Sequence, residues 1–352
     1  MKITDRRLLT QQIAHHNFNT PAEVVSWLGA VQAQDYPGGK WAIGLRLPEV
    51  TEADVERAIG ERTIVRTWPM RGTLHFVAAE DVRWLLALLA SRTIAGAGLR
   101  HRQLEMDEAV LRRARTVVTK ALTGGRALTR DALYRKLDGA GISTAAHGVL
   151  GRRGFHILWR LAHDGIICFG AREGKQQTFV LLDEWLPPVA PLPRDEALAK
   201  LALRYFTGHG PATVQDFAWW SGLSAPDARA ALAMVTSQLA HEDIAGATYW
   251  YRDGEAPRKL PAGAHLLPPF DEYLVGYRDR SAAVDPARFE AMPTLLSPTI
   301  VIGGRVVGTW RRRLERGSVR VTCEPARELT APERRAVDAA TRRYTAFLGM
   351  PG

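Results

Sequence analysis

Helices, then two short alternating runs around a polar tip: this order recurs three times along the chain, and few architectures accept it. Residues 5–15, 20–31 and 51–60 have helical periodicity, with Thr20-Pro21 and Thr51 as N-terminal signals. Residues 63–68 and 73–77 then alternate as strands on either side of the turn Met70-Arg-Gly72. In the second occurrence the helices fall at 129–137 and 151–163, and 165–182 reads as strand, polar tip, strand. The third begins at 197–206, places a helix pair at 211–220 and 226–235, and starts its ribbon at 248–251. Little residue-by-residue similarity links the three, so the repeat is one of structure.

Helices closed by a two-stranded ribbon describe a winged helix. From about residue 260 the texture changes to Pro-rich turns and short β-type runs at 264–280, 299–302, 305–311 and 318–322. Gly303-Gly304 is a hairpin signal between two of them, and a helix is expected over 331–347. The expected fold is therefore mainly α with β. Three tandem winged-helix units (1–100, 101–190 and 191–258) precede a small C-terminal β-barrel-like domain (259–352). Leu186-Pro-Pro-Val-Ala-Pro-Leu-Pro193 reads as a stiff spacer between the second and third units.

Three such units in one basic chain narrow the partner. The 352 residues carry a net charge of +10, with forty arginines and only seven lysines. Arginine forks pair bidentately with phosphate and stack on bases. A GC-rich genome produces the same arginine bias, so charge alone does not decide. Combined with the repeated helix-and-ribbon order, it favours duplex DNA over a small metabolite. Met1-Lys-Ile-Thr-Asp-Arg-Arg is unlike a signal peptide, and the apolar run 84–90 is too short to span a bilayer. A cytoplasmic, nucleoid-associated chain without membrane contact is expected.

Familiar cofactor signatures do not occur. The chain has no Gly-x-Gly-x-x-Gly after a strand, no P-loop, no His-Glu-x-x-His and no Gly-x-Ser-x-Gly. Cys168 and Cys323 are far apart, and the ten histidines are scattered, so neither cofactor nor metal is expected. Asp271 and Glu272 are adjacent carboxylates, read here as turn formers.

The stretch Gly29-Ala-Val-Gln-Ala-Gln-Asp-Tyr-Pro-Gly-Gly39 puts two neutral carboxamides after an amphipathic helix. On a regular helix, residues two apart point roughly 200° away from each other. Gln32 and Gln34 thus share a site only where the helix ends, and Pro37-Gly38-Gly39 is read as that end. Glutamine has no useful pKa. It can orient a water and present a dipole to developing positive charge.

Four stretches together carry a family resemblance: Val31-Gln-Ala-Gln-Asp35, Arg66-Thr-Trp-Pro-Met-Arg-Gly-Thr-Leu-His75, Leu267-Pro-Pro-Phe-Asp-Glu-Tyr-Leu-Val-Gly-Tyr-Arg-Asp-Arg280 and Gly304-Arg-Val-Val-Gly-Thr-Trp310. Over nearly its whole length the chain resembles the AlkZ/YcaQ-type winged-helix DNA glycosylases. The resemblance implies three winged helices and a C-terminal β-barrel around a basic channel. It also implies excision of N7-alkylated purines, crosslinked ones included for some members, from double-stranded DNA. The family's pattern of Gln, an apolar residue, then Gln or Asp lands on Gln32, Ala33 and Gln34, the Gln-x-Gln branch. An N7-alkylated purine is already cationic and leaves as a neutral base, so neutral catalytic groups suit it.

On this reading Gln34 is the main water holder and Gln32 assists. Asp35 is the competing carboxylate. Lys40, the only nearby amine, is expected to be solvated, which favours a monofunctional enzyme. DNA contact is expected from Arg66, Arg71, Thr73 and His75 at the first hairpin, from Arg152 and Arg153 at a helix start, and from Lys175 at a wing tip. Arg311 beside Trp310 is a further candidate, with Trp310 itself either a contact or barrel core. A monomer without an obligate protein partner is expected. The alternative is a non-catalytic winged-helix regulator, which would dimerise on paired half-sites.

Overall fold

A computed structural model describes residues 1–146, 148, 151–254, 263–285 and 297–350. The chain is mixed α/β, 48% helical and 20% strand, so helix outweighs strand as expected. It divides into two compact units, Met1–Arg57 with Asp195–Gly352, and Ala58–Arg194. The segment 1–100 thus supplies residues to both. The second dividing point follows the Pro-rich spacer, which carries no helix or strand over 187–193. The boundary expected between 258 and 259 lies outside the described residues.

In the first unit, short capped helices set the frame. Pro21–Leu28 starts from a capping box in which Thr20 accepts from the Glu23 N–H and Glu23 accepts from the Thr20 N–H. Val214–Ser221 repeats the device with Thr213 and Asp216. Ser224 caps Ala225–Ala233, and the hairpin Ala240–Ile244 with Ala247–Tyr251 follows. The first helix is shorter than its periodicity suggests. Ile3–Thr10 stops because Gln12 takes φ +58, which a continuing helix forbids.

A four-stranded antiparallel sheet completes this unit, in the order Ser318–Pro325, Arg305–Glu315, Thr299–Ile302, Ala264–Leu267. The helix Ala331–Phe347 packs on it through aromatic rings. Tyr344 meets Trp310 at 4.8 Å and Trp41 at 4.9 Å, and Phe347 meets Trp41 at 5.1 Å. Trp310 also donates to the Leu267 carbonyl, which settles it as core. Gly44 has no room for a Cβ against the Phe347 ring, so helix Tyr36–Gly44 docks closely there.

The second unit opens with the hairpin Ile64–Met70 and Thr73–Ala78, joined by Arg71 and Gly72. Both turn residues have positive φ, 53° and 72°, the requirement of a tight two-residue hairpin turn. Helices Val82–Gly96 and Gly98–Gln103 follow. Next come helix Glu108–Leu122, strand Leu128–Thr129, helices Arg130–Gly139 and Arg153–His163, and strands Ile167–Phe169 and Thr178–Leu181. Thr178–Leu181 is the middle strand of that sheet. Leu111, Val118, Leu133, Leu137, Ile157 and Leu161 supply the interior faces of the helices and form one core with Trp68.

Candidate active site

The two glutamines lie in the first unit, on a non-helical connection between two helices. Pro21–Leu28 ends at Gly29, whose φ of 75° is available to glycine without steric cost. Val31 and Gln32 are extended, and Gln34 and Asp35 form a bend. A new helix, Tyr36–Gly44, begins at once. Pro37-Gly38-Gly39 is therefore a helix start, correcting the expectation of an ending. Proline fits the first helical turn because its missing N–H has no partner to lose there.

This connection changes the geometry available to the carboxamides. Strand backbone covers only Val31 and Gln32, and Gln34 follows on a bend. Ala33 is wholly buried between them, Gln32 is 8% exposed and Gln34 is exposed. Asp35 is the cap of the new helix, with Oδ1 accepting from the Gly38 N–H at 2.6 Å. One of its oxygens is thus occupied in holding the bend that follows Gln34.

Behind the connection sits a buried polar lattice. The Gln32 N–H donates to Glu272 Oε1 at 3.1 Å, and Trp220 Nε1 donates to Glu272 Oε2 at 2.8 Å. His209 Nε2 stands 3.2 Å from the same Oε2. With Glu272 ionised, that nitrogen carries the proton, because a carboxylate only accepts. His209 stacks on Tyr205 at 4.7 Å, and its carbonyl accepts from Tyr277 Oη at 2.6 Å. Gln11 Nε2 donates to Tyr277 Oη and to the Glu272 carbonyl. Arg46 donates to Gln11 Oε1 and pairs with both oxygens of Asp271, at 2.9 and 3.0 Å. Asp271 also caps helix Glu272–Val275, so the turn role expected for it is the one it has.

Two further features were missed in the sequence. Lys40 is buried, correcting its expected solvation. Its Nζ lies 2.7 Å from Glu52 and 2.6 Å from Glu56, one helical turn apart, and Tyr36 Oη donates to Glu56. The Glu52/Glu56 spacing was the available signal. The other is a half-buried corner formed by His16, His265 and Arg343. Burial, then the nearby Arg343 charge, lowers both histidines to about 4. Arg343 is lowered to about 10 by its own burial and by Arg46, and donates to the Leu45 carbonyl.

The DNA-contact candidates divide by exposure. Arg152, Lys175 and Arg311 are exposed, with Arg311 paired to Glu324 at 2.9 Å, and Arg71 and Thr73 are half-buried. His75 is fully buried, its Nδ1 2.9 Å from the Thr73 carbonyl. Arg153 is turned inward onto the Glu105 and Ser143 carbonyls. Arg66 is buried over the Phe169 ring and donates to Gln177. Among the described residues, no three His, Cys, Asp or Glu side chains gather closely enough to hold a metal ion, and no helix is long and apolar enough to cross a membrane.

An interstrand DNA cross-link repair glycosylase of Streptomyces sahachiroi is 28% identical over 310 residues, covering 82% of this chain and 81% of the relative. The solved structure of the Streptomyces sahachiroi DNA glycosylase AlkZ superposes with a TM-score of 0.79 at 24% identity, over 99% of this chain and 98% of that one, which establishes the likeness of fold. The family described as DNA glycosylase AlkZ-like matches residues 25–347. The chain belongs to the DNA glycosylase AlkZ-like family.

Proposed function

We propose that the protein hydrolyses the N-glycosidic bond of N7-alkylated purines in duplex DNA, without lyase chemistry. The observation that carries this reading is the segment 32–34. Gln32 is tied through its backbone to a buried carboxylate, Ala33 is buried, and Gln34 is presented outward on backbone that is not helical. Gln34 would orient the attacking water towards C1′ while its dipole faces the developing oxocarbenium charge, with Gln32 assisting. A cationic purine leaves neutral, so the step needs no proton donor. The same groups would serve poorly on uracil or undamaged guanine, which leave as anions unless a proton is supplied.

The ion-paired state of Lys40 supports a monofunctional enzyme, since an ammonium held between two carboxylates is a poor nucleophile. The order helix, strand, helix, helix, hairpin over 108–181 supports one winged helix, and the helices and ribbon over 194–251 support another. The four-stranded sheet with its helix would be the C-terminal β domain. Its long hairpin ends in Arg313, Leu314 and Arg316, all exposed, and offers cations to phosphates beside Arg311. The relative is named for interstrand cross-link repair. An exposed Gln34 would suit a lesion tethered to both strands better than an enclosed pocket would.

The test is base release from duplexes carrying one N7-methylguanine, one uracil or no lesion, with strand cleavage scored before and after alkali. Release from the methylated duplex alone, with strands cut only after alkali, is the expected result. Cleavage without alkali, together with borohydride trapping of the protein on DNA, would refute the monofunctional assignment. No release from the methylated duplex or from a nitrogen-mustard crosslink would refute the activity.

A further inference from the structure

The second unit contains a cavity of about 350 Å³ that the proposed chemistry does not use. Its floor is aromatic. Trp68 lies 5.1 Å from Phe169 and 6.2 Å from Phe155, and Phe169 lies 4.5 Å from Phe179. Its rim is polar and exposed, with Gln176 and with Arg130 lying 3.6 Å from the Asp131 carboxylate, while Arg66 on the wall donates to Gln177 Oε1 at 3.3 Å and so orients that carboxamide. The cavity is at the lower end of ligand sites, about 300–1,000 Å³, large enough for one heterocycle with its sugar. Phe155, from helix Arg153–His163, remains 41% exposed at the mouth although it is a large apolar ring.

Each component matches one part of a nucleotide. Flat apolar rings accept the face of a base, carboxamides read its edge, and a rim guanidinium meets the phosphate. Lys175 next to Gln176 adds a second exposed cation. A lipid would leave the carboxamides without partners, whereas a base satisfies both the rings and the amides.

We propose that this cavity binds a single unstacked nucleobase on an opened DNA strand, as a nucleic-acid site of the second unit itself. It rests on the glycosylase reading only in taking DNA as the ligand. The reaction and the base site are therefore measured separately.

The probe is a fluorescein-labelled single-stranded oligonucleotide with one 2-aminopurine flanked only by abasic residues. It is compared with the same strand carrying an abasic analogue at that position, and with the free 2-aminopurine deoxyriboside as competitor. Base–aromatic stacking predicts that the intact protein quenches 2-aminopurine saturably and that Phe155→Ala or Gln176→Ala weakens binding roughly 5- to 100-fold. The abasic strand should bind the intact protein about as weakly as Phe155→Ala binds the 2-aminopurine strand. Leu99→Ala, at an exposed apolar residue of the same unit outside the cavity, should bind normally. Equal binding of the two strands, or equal losses in Phe155→Ala and Leu99→Ala, would overturn the proposal. Competition by the free deoxyriboside as strong as by the strand would overturn it too, by assigning the cavity to a free nucleoside. Base release from the methylated duplex is scored in parallel. Its failure with quenching intact would sink the proposed activity and leave this site standing.

Discussion

The two compact units build their candidate sites from opposite materials. In the first, the segment 31–35 is positioned by hydrogen bonds and ion pairs drawn from residues 11, 46, 209, 220, 271 and 272. In the second, the cavity is shaped by ring packing among Trp68, Phe155, Phe169 and Phe179. A polar lattice fixes position sharply but fails when one member is removed, because the partners left behind are buried and unsatisfied. An aromatic floor tolerates exchange of similar volumes and discriminates less. The first suits a reaction in which a water must be held in place. The second suits binding that tolerates any base.

That contrast breaks or sharpens by mutation. The largest effect is expected for Arg46→Met, which strands the buried Asp271 carboxylate. Urea unfolding should show a loss of about 3–5 kcal/mol. Glu272→Gln should come next. It keeps the shape but turns an acceptor-only group into one that presents an N–H to His209 or Trp220, at a cost of about 1–3 kcal/mol. Base release should fall in this variant while affinity for methylated duplex holds, since the lattice behind Gln32 is disturbed and no exposed residue is changed. Leu158→Met, equally buried at the second unit's cavity, should cost under about 1.5 kcal/mol. If it proves as damaging as Arg46→Met, the distinction between the units fails.

The smallest expected effect is with pH, and it should not separate the units. His16 and His265 in one unit and His163 in the other are lowered by burial from 6.5 to about 4. As pH falls below 6.5 the unfolded chain takes up protons that the folded chain refuses. The stability present above 6.5 is therefore lost progressively towards pH 4. Thermal unfolding at pH 7 and pH 5 should show a midpoint lower by a few degrees at pH 5, with partial exposure moderating the drop. A higher midpoint at pH 5 would contradict these assignments.

Local signals in the sequence located most elements. The alternation around Arg71-Gly72 found the first hairpin, and Thr20-Pro21 marked a helix start. Pro37 misled because proline and two glycines read as a terminator. Asp35 two residues before it was the sign that a helix begins there. The lattice was illegible for a different reason. Gln32 and Glu272 are 240 residues apart, and no periodicity links a backbone N–H to so distant a carboxylate. The same holds for the division of the chain, since 1–57 joins 195–352 through contacts that local pattern does not encode. Gln32 and Gln34 were singled out by family resemblance, and what the structure adds is that neither lies in a helix.

The central claim, that a carboxamide and not a carboxylate directs the water, is tested most directly by single-turnover base release from an N7-methylguanine duplex across pH 6–9. The variants are Gln34→Ala and Asp35→Asn, the latter keeping an acceptor for the Gly38 N–H. The account predicts that Gln34→Ala slows release by about a hundredfold, the scale of losing one oriented dipole. Asp35→Asn should stay near the intact protein, with a rate flat in pH. A hundredfold loss in Asp35→Asn, with Gln34→Ala nearly unaffected and a rate that falls as a carboxylate is protonated, would contradict it.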